Sequence, residues 1–274
     1  MMMPEENTPP QKVKTGFRER RRKFVKRRGK QLFRTLGNIM SRQSKVGDTP
    51  ILDAGHFPFL EAFTANWQKI RAEAEAILKH REEIPAFHEI SPDQKKISTG
   101  KNWRTFILFG FGKKLEKNSR QAPFTAELLS RVPEIQTAWF SILSPGYHIP
   151  PHTGVTKGIV RAHLGLMIPK DAENCWIRVD DQTRVWRPGE IFVFDDTYEH
   201  EVFNNTNEER VILLFDFTRP MGFWGRAVNN TLLQAMKFTA FYQAPKKNLA
   251  DYEDRFEAAT RNNTENLEKL SDAD

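Results

Sequence analysis

Seven histidines are spread over the 274 residues, at 56, 80, 88, 148, 152, 163 and 200, and four of them fall between 148 and 200. A lone histidine is usually structural, so spacing has to separate chemistry from packing. His152 follows the proline-rich turn Pro150-Pro151 and opens His152-Thr153-Gly154. His200 comes after Phe194-Asp195-Asp196-Thr197-Tyr198-Glu199, at a strand end. Two imidazoles from distant strands could converge on one metal ion. Imidazole suits Fe(II), and open coordination positions are what oxygen activation requires.

Arg210 enters a run, Val211 to Phe217, that is apolar on both faces apart from Asp216. A strand of that kind is buried in a layered structure, and an arginine entering it needs a buried anionic partner. A ligand carboxylate qualifies, because a guanidinium grips one with two parallel hydrogen bonds. In Gly158–Ile168, alternation puts Val160, Ala162, Leu164, Leu166 and Ile168 on one face. Arg161 and His163 lie on the other, with Gly165 leaving room beside the histidine. That second face meets either solvent or a polar cavity, and this strand alone does not choose.

The elements that position these residues are mostly strands. Strand-like runs cover 103–111, 136–143, 159–168, 176–179, 184–186, 191–194 and 211–217. They are separated by turn signals such as Ser144-Pro145-Gly146, Asp180-Asp181-Gln182 and Arg187-Pro188-Gly189-Glu190. Short strands at this spacing predict a mainly β protein with flanking helices: a double-stranded β-helix, or cupin-like jelly roll, with a pocket between its sheets. Phe59, Leu60, Phe63, Trp67, Ile70, Ala74 and Ile77 predict one amphipathic helix over about 59–80, packed on a sheet. A second is expected over 221–244, followed by a polar, mobile tail over 245–274. The expected organisation is a disordered, basic amphipathic segment at 1–45, a jelly-roll domain at 46–220, and the helix with its tail at 221–274.

The net charge of +7 is uneven. Residues 12–45 hold 14 Lys/Arg against the single acid Glu19, and the remainder from 46 onward is net negative. Basicity is therefore a property of the segment and not of the domain, which makes nucleic acid an unlikely partner. Residues 17–40 combine Phe17, Phe24, Val25, Leu32, Phe33, Leu36, Ile39 and Met40 with these bases at helical spacing. The segment is either a solvated tail or a helix in peripheral contact with an anionic membrane. One cysteine, Cys175, rules out an internal disulfide and fits a reducing compartment. No apolar run is long enough for a transmembrane helix, and the N-terminus lacks a secretory h-region. The expectation is a cytoplasmic protein that is peripheral, if anything, on the inner face of the membrane.

Pro151-His152-Thr153-Gly154, Arg161-Ala162-His163-Leu164-Gly165-Leu166, Phe194-Asp195-Asp196 through His200-Glu201-Val202, and Arg210 together resemble the aspartyl/asparaginyl β-hydroxylase family, which includes bacterial lipid A hydroxylases. The likeness covers roughly residues 57–220. It implies an Fe(II)- and 2-oxoglutarate-dependent dioxygenase with His152 and His200 as iron ligands. Arg210 and Ser141 would then hold the distal carboxylate of 2-oxoglutarate, with Arg161 and His163 as further binding residues. Most oxygenases of this class carry a ligating carboxylate two residues after the first histidine. Gly154 stands there, as in the aspartyl/asparaginyl branch, whereas the frame of the chain is closer to the lipid enzymes. The implied substrate is an Asp/Asn side chain in a peptide or an acyl chain of a membrane lipid. A non-catalytic jelly-roll binding module is the alternative.

Overall fold

A computed structural model describes residues 35–271. Eleven strands form two sheets. They are β1 (Ile51–Leu52), β2 (Trp103–Gly110), β3 (Lys113–Lys114), β4 (Ile135–Leu143), β5 (His148–His152), β6 (Ile159–Met167), β7 (Cys175–Val179), β8 (Gln182–Val185), β9 (Ile191–Phe194), β10 (His200–Asn204) and β11 (Arg210–Thr218). The larger sheet runs β1-β9-β6-β11-β4-β2-β3, and the smaller runs β5-β10-β7-β8. From β4 to β11 the chain passes repeatedly between the sheets. Every pairing within that stretch is antiparallel. This is the double-stranded β-helix, or jelly roll, expected from the strand spacing.

Each face of the larger sheet meets its own core. Outward-facing Val160, Ala162, Leu164 and Leu166 of β6 and Val211, Leu213, Phe215 and Phe217 of β11 pack under helices. Inward-facing Ile212 and Leu214 join Trp103, Trp139, Ile177, Val179 and Phe194 between the sheets. A strand greasy on both sides is thus buried on both sides.

The helices are α1 (Glu61–Ala65), α2 (Trp67–Leu78), α3 (Phe87–Ile90), α4 (Glu116–Gln121), α5 (Pro123–Ser130), α6 (Phe223–Met236) and α7 (Ala240–Ser271). The single helix expected over 59–80 is two. The break falls at Asn66, whose backbone leaves the helical region and whose amide donates to the Ala62 carbonyl. Ile70, Ala74 and Ile77 still form the buried stripe of α2, and Phe63 of α1 stacks on Phe215 at 4.8 Å.

Three further expectations are corrected. Residues 245–260 are not a free tail. They belong to α7, which buries Leu249 and Phe256, the latter 4.7 Å from Phe106. Its acids also pair with Lys117 and Arg120 of α4. Residues 41–45, expected to be part of a disordered segment, are bound to the domain together with 46–56: Arg219 donates to the Gly47 carbonyl, the Lys45 N–H donates to the Pro220 carbonyl, Lys157 pairs with Asp48, and β1 adds to the sheet edge. The space at Gly165 receives the Arg187 backbone, with which a Cβ at Gly165 would collide, and does not serve His163.

The basic stripe of 17–40 lies outside the described residues up to 34. Residues 35–42 are helical. Met40 is buried there with Met221 and Leu232, and Leu36 packs against the same cluster.

Candidate active site

His152 and His200 are cross-strand partners on the smaller sheet, at the ends of β5 and β10. Sequence reading placed His152 after a turn, because Pro150-Pro151 obscured the strand. Pro150 and Pro151 sit on β5, which pairs only with β10 and so forms the sheet edge, where a missing N–H is tolerated. The ring centroids are 4.1 Å apart. Nδ1 of His152 lies 2.9 Å from the Pro150 carbonyl, and Nδ1 of His200 lies 2.9 Å from that of Tyr198. A carbonyl only accepts, so each Nδ1 carries the hydrogen and each Nε2 keeps its lone pair. Burial lowers the pKa of His152, and burial with the neighbouring His152 pushes His200 down to about 3. Both rings are therefore neutral near pH 7, the form a metal needs. Among the described residues no third His, Cys, Asp or Glu completes a set with them. The donor set fits an imidazole-binding metal that takes its other ligands from solvent or a co-substrate.

Gly154 is where a third carboxylate would stand. A Cβ there would collide with the Asp196 carboxylate, and the Gly154 N–H donates to the Asp196 carbonyl at 2.6 Å. Asp196 is buried. Burial, then the charges of Asp216 and Asp195, raise its pKa to about 7 against the pull of Arg161. Arg161 donates to Asp216 at 2.7 and 2.9 Å and approaches Asp196 at 3.4 Å. Burial alone would favour losing its proton, but these two acids outweigh it. Arg161 is thus already matched by carboxylates. Neither acid is identifiable as a partner of Arg161 from the sequence, because alternation along a strand does not reveal partners on a neighbouring one.

Arg210 lies at the start of β11, fully buried, with its guanidinium 4.7 Å from the Trp186 ring. Nη1 donates to Ser141 Oγ at 3.3 Å, and Trp103 Nε1 donates to the same hydroxyl at 3.0 Å. No acid among the described residues pairs with Arg210, and Nε has no partner. Burial drags its pKa down to about 10. A buried guanidinium without a counter-charge is costly, and a carboxylate ligand offsets that cost. His163 lies among Trp186, Phe192 and Phe194, with both ring nitrogens buried and unpartnered. Burial, then Arg161 and Arg210, hold its pKa well below the usual value.

In front of the imidazoles lies a cavity of about 280 Å³. Phe87, Ile90, Trp103, Ile107, Trp139 and Leu249 are among its apolar walls, while His152, His200, Arg161, Asp196 and Asp216 form a polar end. Ser141, His163 and Arg210 are not on this surface. Trp103 and Trp139 line it as well as packing between the sheets. Arg104 faces away, bonded to the Arg81 and Ile84 carbonyls and to Glu82. His148 does not join the pair, since its Nε2 meets Glu201 at 3.0 Å and its ring stacks on Phe203.

A jelly roll with paired imidazoles between its sheets offers an open metal-binding site of the kind metal-dependent enzymes use. The family model of aspartyl/asparaginyl β-hydroxylase matches residues 64–220, and the chain belongs to that family. It is 40% identical over 217 residues to an ornithine lipid ester-linked acyl 2-hydroxylase of Rhizobium tropici, covering 79% of this chain and 77% of that protein. It is 32% identical over 192 residues to the human aspartyl/asparaginyl β-hydroxylase, covering 68% of this chain but only 24% of that protein. A Pseudomonas putida prolyl-4-hydroxylase structure aligns at TM-score 0.36 and 18% identity, over 57% of this chain and 88% of that one.

Proposed function

We propose that this chain is an Fe(II)- and 2-oxoglutarate-dependent dioxygenase that hydroxylates an acyl chain of a membrane lipid. The carrying observation is the cavity. Its walls are hydrocarbon and aromatic, and the cation at its polar end, Arg161, is already matched by Asp216 and Asp196. A carboxylate side chain delivered to that end would meet two acids whose charge already holds Arg161, whereas an alkyl chain loses nothing there. The name of the Rhizobium relative favours the same substrate class.

His152 and His200 would hold the iron through Nε2. Arg210 and Ser141 would hold the distal carboxylate of 2-oxoglutarate, with His163 as a further polar contact. Arg161 would border the substrate. Bound iron, with O₂ and 2-oxoglutarate, supplies the oxidant; one oxygen atom enters the substrate as hydroxyl and the other leaves in succinate, with release of CO₂. The chain's own part is to place the substrate carbon before the imidazole pair and to exclude water with the aromatic walls. Residues 17–40 would add peripheral attraction to the anionic inner face of a membrane.

The test is oxygen uptake and succinate release with Fe(II) and 2-oxoglutarate, followed by mass spectrometry for a hydroxylated product in lipid extracts and in Asp/Asn peptides. A product confined to peptides sinks the lipid reading. Absence of 2-oxoglutarate-dependent uptake with every substrate sinks the dioxygenase.

A further inference from the structure

We propose that α6 is the face on which the folded domain rests on an anionic lipid bilayer, with the cavity mouth opening at that face. The inference rests on the lipid-substrate reading and adds the docking surface to it.

Four large apolar side chains stand out as exposed among the described residues: Phe238 (89%), Phe223 (75%), Trp224 (68%) and Val155 (51%). All four belong to one region. Phe223 and Trp224 open α6, and Phe238 lies just past its end. Val155 sits in the loop against which α6 packs, since Asn229 Nδ2 donates to the Gly158 carbonyl at 3.3 Å. The outward side of α6 between the aromatics carries Ala227, Asn230, Thr231 and Gln234, and Arg226 is the one charge in Phe223–Met236. A helix facing bulk water shows a charged or polar outer face and does not normally display large rings at both of its ends. A charge-poor face about 20 Å long with aromatics at both ends instead matches the bilayer interface, where amphipathic rings gather.

Two observations fix the occupant as anionic lipid. The cavity is lined by Leu233, Met236 and Lys237 of this same region and by Val155. A chain leaving a bilayer at α6 would enter over apolar lips and pass a lysine. The sequence preceding residue 46, with 14 Lys/Arg to one acid over 12–45, joins the domain beside this helix: Met40 is buried with Met221 and with Leu232 on the inner side of α6. A sequence of that charge, joined to the domain beside α6, is complementary to an anionic surface.

The test uses the full chain and vesicles of phosphatidylglycerol with brominated or unmodified acyl chains. Brominated chains quench tryptophan fluorescence only on insertion. Wild type is expected to be quenched, and Trp224→Phe to lose the surface share of that quench, leaving only what a chain in the cavity gives through Trp103 and Trp139. Phe223→Ser with Phe238→Ser should weaken vesicle partitioning about tenfold or more. The same double variant should turn over detergent-dispersed lipid at the wild-type rate. Equal quenching of Trp224→Phe and wild type, or unchanged partitioning of the double variant, overturns the surface. If Trp224 is quenched but no lipid is hydroxylated in vesicles or detergent, the surface stands and the substrate reading falls.

Discussion

His152 and His200 face one another across the β5–β10 ladder, and each gives its Nδ1 hydrogen to the carbonyl two residues earlier on its own chain, Pro150 for one and Tyr198 for the other. The pair is therefore poised through main-chain atoms. Replacing either ring by alanine removes a donor that no neighbouring residue supplies. His152→Ala or His200→Ala is expected to cut succinate release to below roughly 1% of wild type, a larger loss than that of a supporting contact. Fe(II) or Co(II) titration checks the cause: full turnover or unchanged metal affinity in either variant would refute the assignment.

Arg210 makes two opposite predictions. Arg210→Lys keeps the charge but loses the bidentate fork, so the KM for 2-oxoglutarate should rise about tenfold or more. Arg210→Met removes an uncompensated buried charge and should stabilise the ligand-free protein by about 1–3 kcal/mol, read as a raised Tm, while losing 2-oxoglutarate turnover. A lowered Tm in the methionine variant would mean that the guanidinium has a partner in the free protein.

The buried, neutral His163 makes stability depend on pH. Its folded pKa is depressed below the ordinary 6.5. As pH falls through 6.5 the unfolded chain takes a proton that the folded chain refuses, so stability is full above that value and declines below it. The decline is about 1.4 kcal/mol per pH unit for this group. Urea midpoints from pH 7.5 to 5 should fall less steeply for His163→Gln, and equal slopes would contradict the prediction.

Gly154 and Asp196 share one space. Gly154→Ala is expected to displace the Asp196 carboxylate from Arg161 and cost about 1–3 kcal/mol. Asp196→Gly in the same background should recover most of the loss of Tm. A double variant no more stable than Gly154→Ala alone would separate the two positions.

The C-terminal helix α7 is part of the domain. Phe256→Ala should destabilise by about 3–5 kcal/mol, because it empties a site against Phe106 inside the outer core. A shift in denaturation midpoint near zero would return the segment to the status of a tail.

The larger sheet was legible in the sequence because its strands alternate or are apolar on both faces, and Val160–Ile168 and Val211–Phe217 carry that signal unaided. The strands bearing the imidazoles were not. Pro150-Pro151 hides β5, and His200-Glu201-Val202-Phe203-Asn204 has too little apolar repetition to announce β10. The segment forming α7 reads as polar because it docks through two isolated apolar residues, Leu249 and Phe256, and through surface ion pairs. Pairings such as Arg161 with Asp216, 55 positions apart, follow from β6–β11 register and have no local trace.

Because each imidazole is aimed by its own strand, no acid or amide elsewhere has to be preserved to keep the rings oriented. Residues such as Phe87, Ile90, Ile107 and Leu249, which shape the guest's compartment, can be exchanged without re-aiming the pair. One scaffold can thus be refitted to guests of different length or branching, and a reshaped compartment is the natural starting point for redirecting where on the guest the hydroxyl is installed.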